Sequence, residues 1–323
     1  MRIVAISVAM SLALCVSCAK VNQSPPELRV SIMSFNAWGA GANENRSIDD
    51  TVNVIRHINP DIVGLQEARG ESLACTEAIC PPDGPGRAAD IARALGYYVY
   101  SQETVNEALW ANAIISRYPI VSTTQNELGV VLQIGERRVA VFNIHASDFP
   151  YQPYQASNIA YGDVPFLKTE AELVAAAEQA RGSAIALLLE EIAALDNVDA
   201  VLVTGDFNEP SHRDWTARAA KYGVHPLAVS FPAARRMEAA GFVDAYRTLF
   251  PDEITHPGFT WTPTTTPDDP HDHHDRIDYI FVRANGLRVE SVSIAGEVSA
   301  ASTIQFARWP SDHRAVVATI AIP

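Results

Sequence analysis

Four polar side chains fall at the C-terminal ends of segments that read as β-strands. They are Asn36 after Leu28 to Phe35, Glu67 after Asp61 to Leu65, His145 after Arg138 to Ile144, and Asp206 after Ala200 to Thr204. Strand ends, where loops converge, are where α/β proteins build sites. Any one of the four could be a turn or capping residue, but their coincidence is poorly explained that way. Alternation within the His145 strand puts Asn143 and His145 on one face and Phe142 and Ile144 on the other. Asn36 and Glu67 offer hard oxygen ligands, which favour Mg²⁺ or Mn²⁺ over zinc. A carboxylate such as Asp206 accepts a proton from water only where a metal or its surroundings support the transfer. These residue types suit phosphoryl chemistry.

The elements that must position them follow from periodicity. Ile48, Val52 and Ile55 predict a helix over Ile48 to Ile58 behind Ser47 as N-cap, broken by Asn59-Pro60. Arg87 to Leu95 predicts a second helix, stopped at Gly96. Tyr97 to Ser101, Ala111 to Ile115 and Ile120 to Leu128 read as strands, and Val130 to Ile134 with Arg138 to Ile144 as a hairpin. A polar, aromatic loop from Ala146 to Pro165 precedes a long helix over Lys168 to Leu195. Asp214 to Lys221 and Ala233 to Ala240 look helical, and Ile277 to Val282, Leu287 to Ile294 and Ala315 to Ile320 are strands. Strands joined by both hairpins and helices imply mixed sheets.

Six motifs then occur in a telling order: Ser34-Phe35-Asn36, Gly64-Leu65-Gln66-Glu67, Asn143-Ile144-His145, Gly205-Asp206-Phe207-Asn208, Arg276-Ile277-Asp278-Tyr279 and Ser311-Asp312-His313. From about Leu28 to the C-terminus the chain resembles the endonuclease/exonuclease/phosphatase superfamily. Deoxyribonuclease I-like and exonuclease III-like enzymes, bacterial sphingomyelinases and inositol polyphosphate 5-phosphatases belong there. Gly-Asp-Phe-Asn alone would be weak; six ordered motifs are not. The resemblance implies an α/β fold, a four-layered sandwich of two mixed β-sheets flanked by helices. It implies a Mg²⁺- or Mn²⁺-dependent phosphodiesterase with Glu67 as principal metal ligand, helped by Asn36 and with Asp312 nearby. Asp206 would orient or deprotonate the attacking water, and Asn208 would bind phosphate or water. His313 would bind the phosphate, with Asp278 accepting its ring N–H, and His145 would donate to a phosphate oxygen or the leaving group.

Several features bear on substrate and setting. Asp268 to Asp275 (Asp-Asp-Pro-His-Asp-His-His-Asp) reads as a solvated acidic loop, with a second cation or the substrate cleft as alternatives. The aromatic loop, with Tyr151, Tyr154 and Tyr161, is either a wall of the substrate pocket or a lid on the sheet edge. Trp261 reads as packing beside the site. The net charge of −14, or −15 once the leader with Arg2 is removed, opposes a long basic groove for duplex DNA. Bound metal could still offset it locally. Candidate substrates are therefore a nucleic acid, a phospholipid or a small diester, hydrolysed by a monomer.

Residues 1–18 carry Arg2 and an apolar run and are expected to be an export signal. Cys18 is a candidate lipid-accepting residue, so periplasmic, outer-membrane lipoprotein and secreted forms stay open. Residues 19–27 look like a tether, and 28–323 like one catalytic domain. Cys75 and Cys80 would pair in an oxidising compartment. The rival reading is a binding protein on the same fold; retention of Glu67 and of the His313–Asp278 pair argues against it.

Overall fold

The computed structural model describes residues 27–44, 46–69, 87–102 and 111–323. The export signal with Cys18, the first part of the tether and the Cys75–Cys80 pair lie outside them. The first half holds β1 (Leu28–Asn36), α1 (Ile48–Ile58), β2 (Ile62–Gln66), α2 (Ala88–Leu95), β3 (Tyr98–Gln102), β4 (Asn112–Ser116), β5 (Ile120–Thr123), β6 (Gly129–Ile134) and β7 (Arg137–His145). Then come α3 (Gln152–Ser157), α4 (Glu170–Ala193), β8 (Ala200–Asp206), α5 (Ala217–Lys221), α6 (Pro232–Ala239), β9 (Val243–Asp244) and α7 (Ala245–Leu249). The chain closes with β10 (Asp278–Arg283), β11 (Arg288–Glu297), β12 (Ile304–Phe306) and β13 (Ala315–Ile322).

The strands form a seven-stranded sheet, ordered β12-β11-β13-β1-β2-β4-β3, and a six-stranded sheet, ordered β5-β6-β7-β8-β10-β9. Both are mixed: β1 and β2 run parallel in the first, β7 and β8 in the second, each beside antiparallel pairs. Three apolar clusters make the four layers. Val30, Ile32 and Ile62 meet Val141, Leu202 and Ile280 between the sheets. Met33, Phe35 and Leu65 pack outward on Val52, Ile55 and Ile91 of α1 and α2. Phe142, Val203 and Phe281 pack outward on Ile185, Leu188 and Met237 of α4 and α6. The expected sandwich is the observed one.

Local chemistry explains the boundaries. Ser47 accepts the Asp49 N–H at the start of α1, and Asn59 ends it in the left-handed conformation. Thr169 and Glu172 form a capping box on α4. The differences are short: β5 stops at Thr123, α5 begins only at Ala217, and α3 folds inside the expected loop. Among the described residues, no helix is long and apolar enough to cross a membrane.

The period-2 alternation of the strands sets what reaches the site. Val30 and Ile32 face the other sheet, so Ser34 and Asn36 must as well; on β7, Val139 and Val141 are followed by Asn143 and His145. The space between the sheets thus turns from apolar to polar along each strand. In its middle, Asn143 accepts from Gln66 Nε2 (2.5 Å) and Thr204 Oγ1 (3.0 Å) and donates to Leu65 O (2.8 Å) and Gln102 Oε1 (3.0 Å). Gly64 permits this approach, because a Cβ there would lie 1.9 Å from Thr204 Oγ1.

Candidate active site

At the polar rim, strand register brings the predicted residues together. His145 and Asp206 are partners across the parallel β7–β8 pair, and Asp278 faces Asp206 across the antiparallel β8–β10 pair. Asn36 ends β1 beside Gln66, and Glu67 follows at φ 50°. Asn208 has φ 47°, so two non-glycine residues hold left-handed backbone at the rim. Such conformations cost on the order of 1–3 kcal/mol each and cluster where side chains must be aimed.

Asn36 Nδ2 donates to both Glu67 Oε1 (2.9 Å) and Asp206 Oδ2 (3.0 Å), while its oxygen accepts the Trp38 N–H (3.1 Å). Asp206 Oδ1 accepts the Asn208 N–H (2.9 Å), and Asp206 Oδ2 lies 3.6 Å from both His145 Nε2 and His313 Nε2. His145 Nε2 is also 3.7 Å from Glu67 Oε1. The Asn208 amide donates to Ala146 O (3.0 Å) and points its nitrogen at His145 Nε2 (3.1 Å). In that arrangement Nε2 accepts and the ring proton sits on Nδ1.

His313 Nδ1 is 2.9 Å from Asp278 Oδ2, and both side chains are buried. Burial alone would depress the imidazole, but the carboxylates of Asp278, Asp206 and Asp312 outweigh it and hold His313 well above the ordinary histidine range. Ser311 Oγ accepts the His313 N–H (3.0 Å) and donates to Asn36 O (2.7 Å), tying this segment to β1. Thr260 Oγ1 accepts the Asp278 N–H (3.1 Å).

Asp312 completes the acidic rim. Burial raises its carboxyl from 3.8 to about 7, and Glu67 and Asp206 push the same way against the pull of His313. Its Oδ1 is buried without a hydrogen-bond partner. Three crowded carboxylates, one with an orphaned oxygen, suit a hard divalent cation. Glu67 and Asp312 are the residues that would hold it, joined by Asn36 once its amide, whose nitrogen here faces Glu67 and Asp206, turns its oxygen inward. Asp206, Asp278 and His313 also place one ligand atom each within 4.8 Å of one another, but Asp278 Oδ2 is engaged by His313.

Two sequence expectations need revision or refinement. The Asp268–Asp275 stretch is solvated only in its first half. Asp272 accepts from Tyr154 OH (2.5 Å), Thr265 Oγ1 (2.6 Å) and Trp261 Nε1 (3.3 Å), and buried Asp275 accepts from Tyr151 OH (2.8 Å) and Trp215 Nε1 (2.8 Å). The reading as a solvated acidic loop fails because neutral donors from the aromatic loop draw the carboxylates inward. Trp261 does pack beside the site, its ring 5.0 Å from that of His313. Sequence reasoning missed Thr260, Gln102 and Thr204, since a buried hydrogen-bonding role leaves no spacing signal.

A two-sheet sandwich with this rim defines a hydrolase of phosphoric ester bonds with the deoxyribonuclease I-like fold. The sequence profile of the Endonuclease/Exonuclease/phosphatase family matches residues 33–313, and the chain belongs to that family. It is 25% identical over 310 residues to an uncharacterized protein of Caenorhabditis elegans, covering 90% of each chain. Similar folds include a humanized D. rerio TDP2 (19% identity, 90% of this chain and 98% of that one, TM-score 0.51). Another is an endonuclease/exonuclease/phosphatase from Beutenbergia cavernae (17% identity, 91% and 72%, TM-score 0.51). At these identities the structural likeness concerns the fold.

Proposed function

We propose that the protein is an exported Mg²⁺- or Mn²⁺-dependent phosphodiesterase. The observation that carries the reading is the convergence of Glu67, Asp206 and Asp312 with the His313–Asp278 pair on one rim. A bound divalent cation supplies Lewis-acid polarisation of the phosphate and lowers the pKa of bound water. Asp206, fixed by Asn36 and the Asn208 backbone, orients the attacking water and is placed to take its proton. His313, kept protonated and oriented by Asp278, binds a phosphate oxygen and stabilises charge developing there. Asn208 holds His145 in place, and His145 is positioned to donate to a phosphate oxygen or the leaving group. The export component rests on the apolar leader alone, and a lipid anchor at Cys18 is its membrane-bound variant.

The test is turnover of bis(p-nitrophenyl) phosphate with Mg²⁺ or Mn²⁺, by wild type, Glu67→Gln and His313→Ala. Both substitutions should lower kcat at least 100-fold, roughly the effect of removing a transition-state charge partner. If neither does, the catalytic reading fails and the binding-protein reading takes its place. A panel of DNA, RNA, sphingomyelin, phosphoinositides and simple diesters then separates the nuclease and lipid-esterase forms.

A further inference from the structure

One polar cluster takes no part in the phosphoesterase reading. It lies where the buried half of the acidic loop meets the loop after α5. His225 Nδ1 and His273 Nε2 face each other at 3.0 Å, and Asp275 Oδ1 lies 4.0 Å from His273 Nε2. One ligand atom from each residue falls within 4.8 Å of the others. His225 is stacked on Trp215 with ring centroids 4.5 Å apart, which fixes the plane in which its nitrogens point.

The charges here do not close. Asp275 is 1% exposed, and the donors to its two oxygens, Tyr151 and Trp215, are neutral. Arg247 and Arg276 are nearby but already engaged: Arg247 with Asp214, Arg276 with Asp214 and Asp244. An isolated buried anion is costly unless paired or bound to a metal.

We propose that His225, His273 and Asp275 bind a zinc-type divalent cation, separate from the Glu67–Asp206 centre. Two imidazoles and one carboxylate form a set that zinc accepts, whereas Mg²⁺ prefers oxygen alone. With Zn–N bonds of about 2.0–2.1 Å, tetrahedral ligands stand roughly 3.3 Å apart, between the two separations observed here. The consequence reaches the active site through the backbone. Asp275 O accepts the Thr260 and Trp261 N–H groups, and Trp261 packs on His313. A cation on Asp275 therefore staples the loop that walls His313.

The test uses the full chain carrying Glu67→Gln, alone and combined with His273→Asn. Each is stripped with EDTA, reloaded with zinc, desalted and analysed by mass spectrometry for metal. Glu67→Gln should retain about one zinc per chain and melt at a higher temperature than its stripped form. Adding His273→Asn should cut retention at least tenfold and abolish the thermal shift. No retained zinc in the first chain, or equal zinc in both, overturns the proposal. Should the double variant fail to fold, zinc-edge anomalous diffraction of the wild type decides. A peak at bonding distance from His225 and His273 supports the site; a peak only at Glu67, or none, overturns it.

Discussion

Glu209 follows Asn208 directly and is 2% exposed. Its Oε1 accepts the Ala233 N–H in the first turn of α6 (2.6 Å), and its Oε2 has no partner. Burial raises the carboxyl from 4.5 to about 7, although the Arg181 charge pulls it down. Between those values the folded chain holds a proton that the unfolded chain releases. The associated stability is fully present below about pH 4.5 and is lost as pH rises through about 7. At roughly 1.4 kcal/mol per pH unit, the interval amounts to about 3 kcal/mol. Glu209→Gln cannot ionise and should lack that loss. Urea denaturation of both proteins near pH 5 and pH 8 measures it. Wild type should lose about 2.5 kcal/mol more than the variant between the two conditions, because other titrations and any fixed cost of the amide cancel in the comparison. Parallel profiles would refute the claim that Glu209 meets this pH range as a desolvated acid.

Three further outcomes follow from the same contacts. Asp278→Asn removes the anionic partner of His313 at 2.9 Å. Its kcat should fall roughly 100- to 1,000-fold with little change in KM, and the alkaline limb of the pH–rate profile should move down as the imidazolium weakens; an unchanged profile would deny Asp278 its role. Gly64→Ala places a Cβ 1.9 Å from Thr204 Oγ1 and 2.5 Å from Asn143 Oδ1. It should destabilise the sandwich by at least about 1–3 kcal/mol in thermal melts, and a wild-type Tm would mean that the sheets are free to separate there. Tyr151→Phe takes the O–H from buried Asp275 Oδ2 and should cost about 1–3 kcal/mol in urea denaturation; no loss would show the hydroxyl to be dispensable.

How much of this was legible in the sequence depends on whether a residue's role is local or collective. Strand alternation and turn residues are local, so the β1, β7 and β8 segments and the helices α1, α2 and α4 could be placed to within a few residues. The rim residues were legible for the same reason. A polar side chain ending an apolar strand breaks a pattern, and four such breaks converge once the strands pair in register. Thr260, Gln102 and Asp275 break no pattern. Their partners are contributed by elements from 17 to 124 positions away, and an isolated Thr or Gln in a loop or strand has many bland uses. The acidic loop misled for a related reason. Its composition reports solubility, while its burial depends on tyrosines and tryptophans elsewhere in the chain.

The same distinction explains how so acidic a chain could handle a phosphate anion. A net charge of −14 is a property of the whole chain and opposes long-range attraction of polyanions. The rim works at a few ångströms, where Asp206, Asp278 and Asp312 keep His313 protonated and two carboxylate oxygens, Asp278 Oδ1 and Asp312 Oδ1, are left without a donor. Crowded carboxylates there repel a free phosphate, but they also raise the affinity of the pocket for positive charge. Under the proposed function, a divalent cation at Asn36, Glu67 and Asp312 turns that cost into recognition, so substrate binding should depend on metal far more than on any basic surface. Measured by calorimetric titration with a phosphomonoester product, binding should weaken at least tenfold on chelation and change little with added salt. A strong salt dependence with no response to chelation would locate recognition on surface cations and remove the rim from the account.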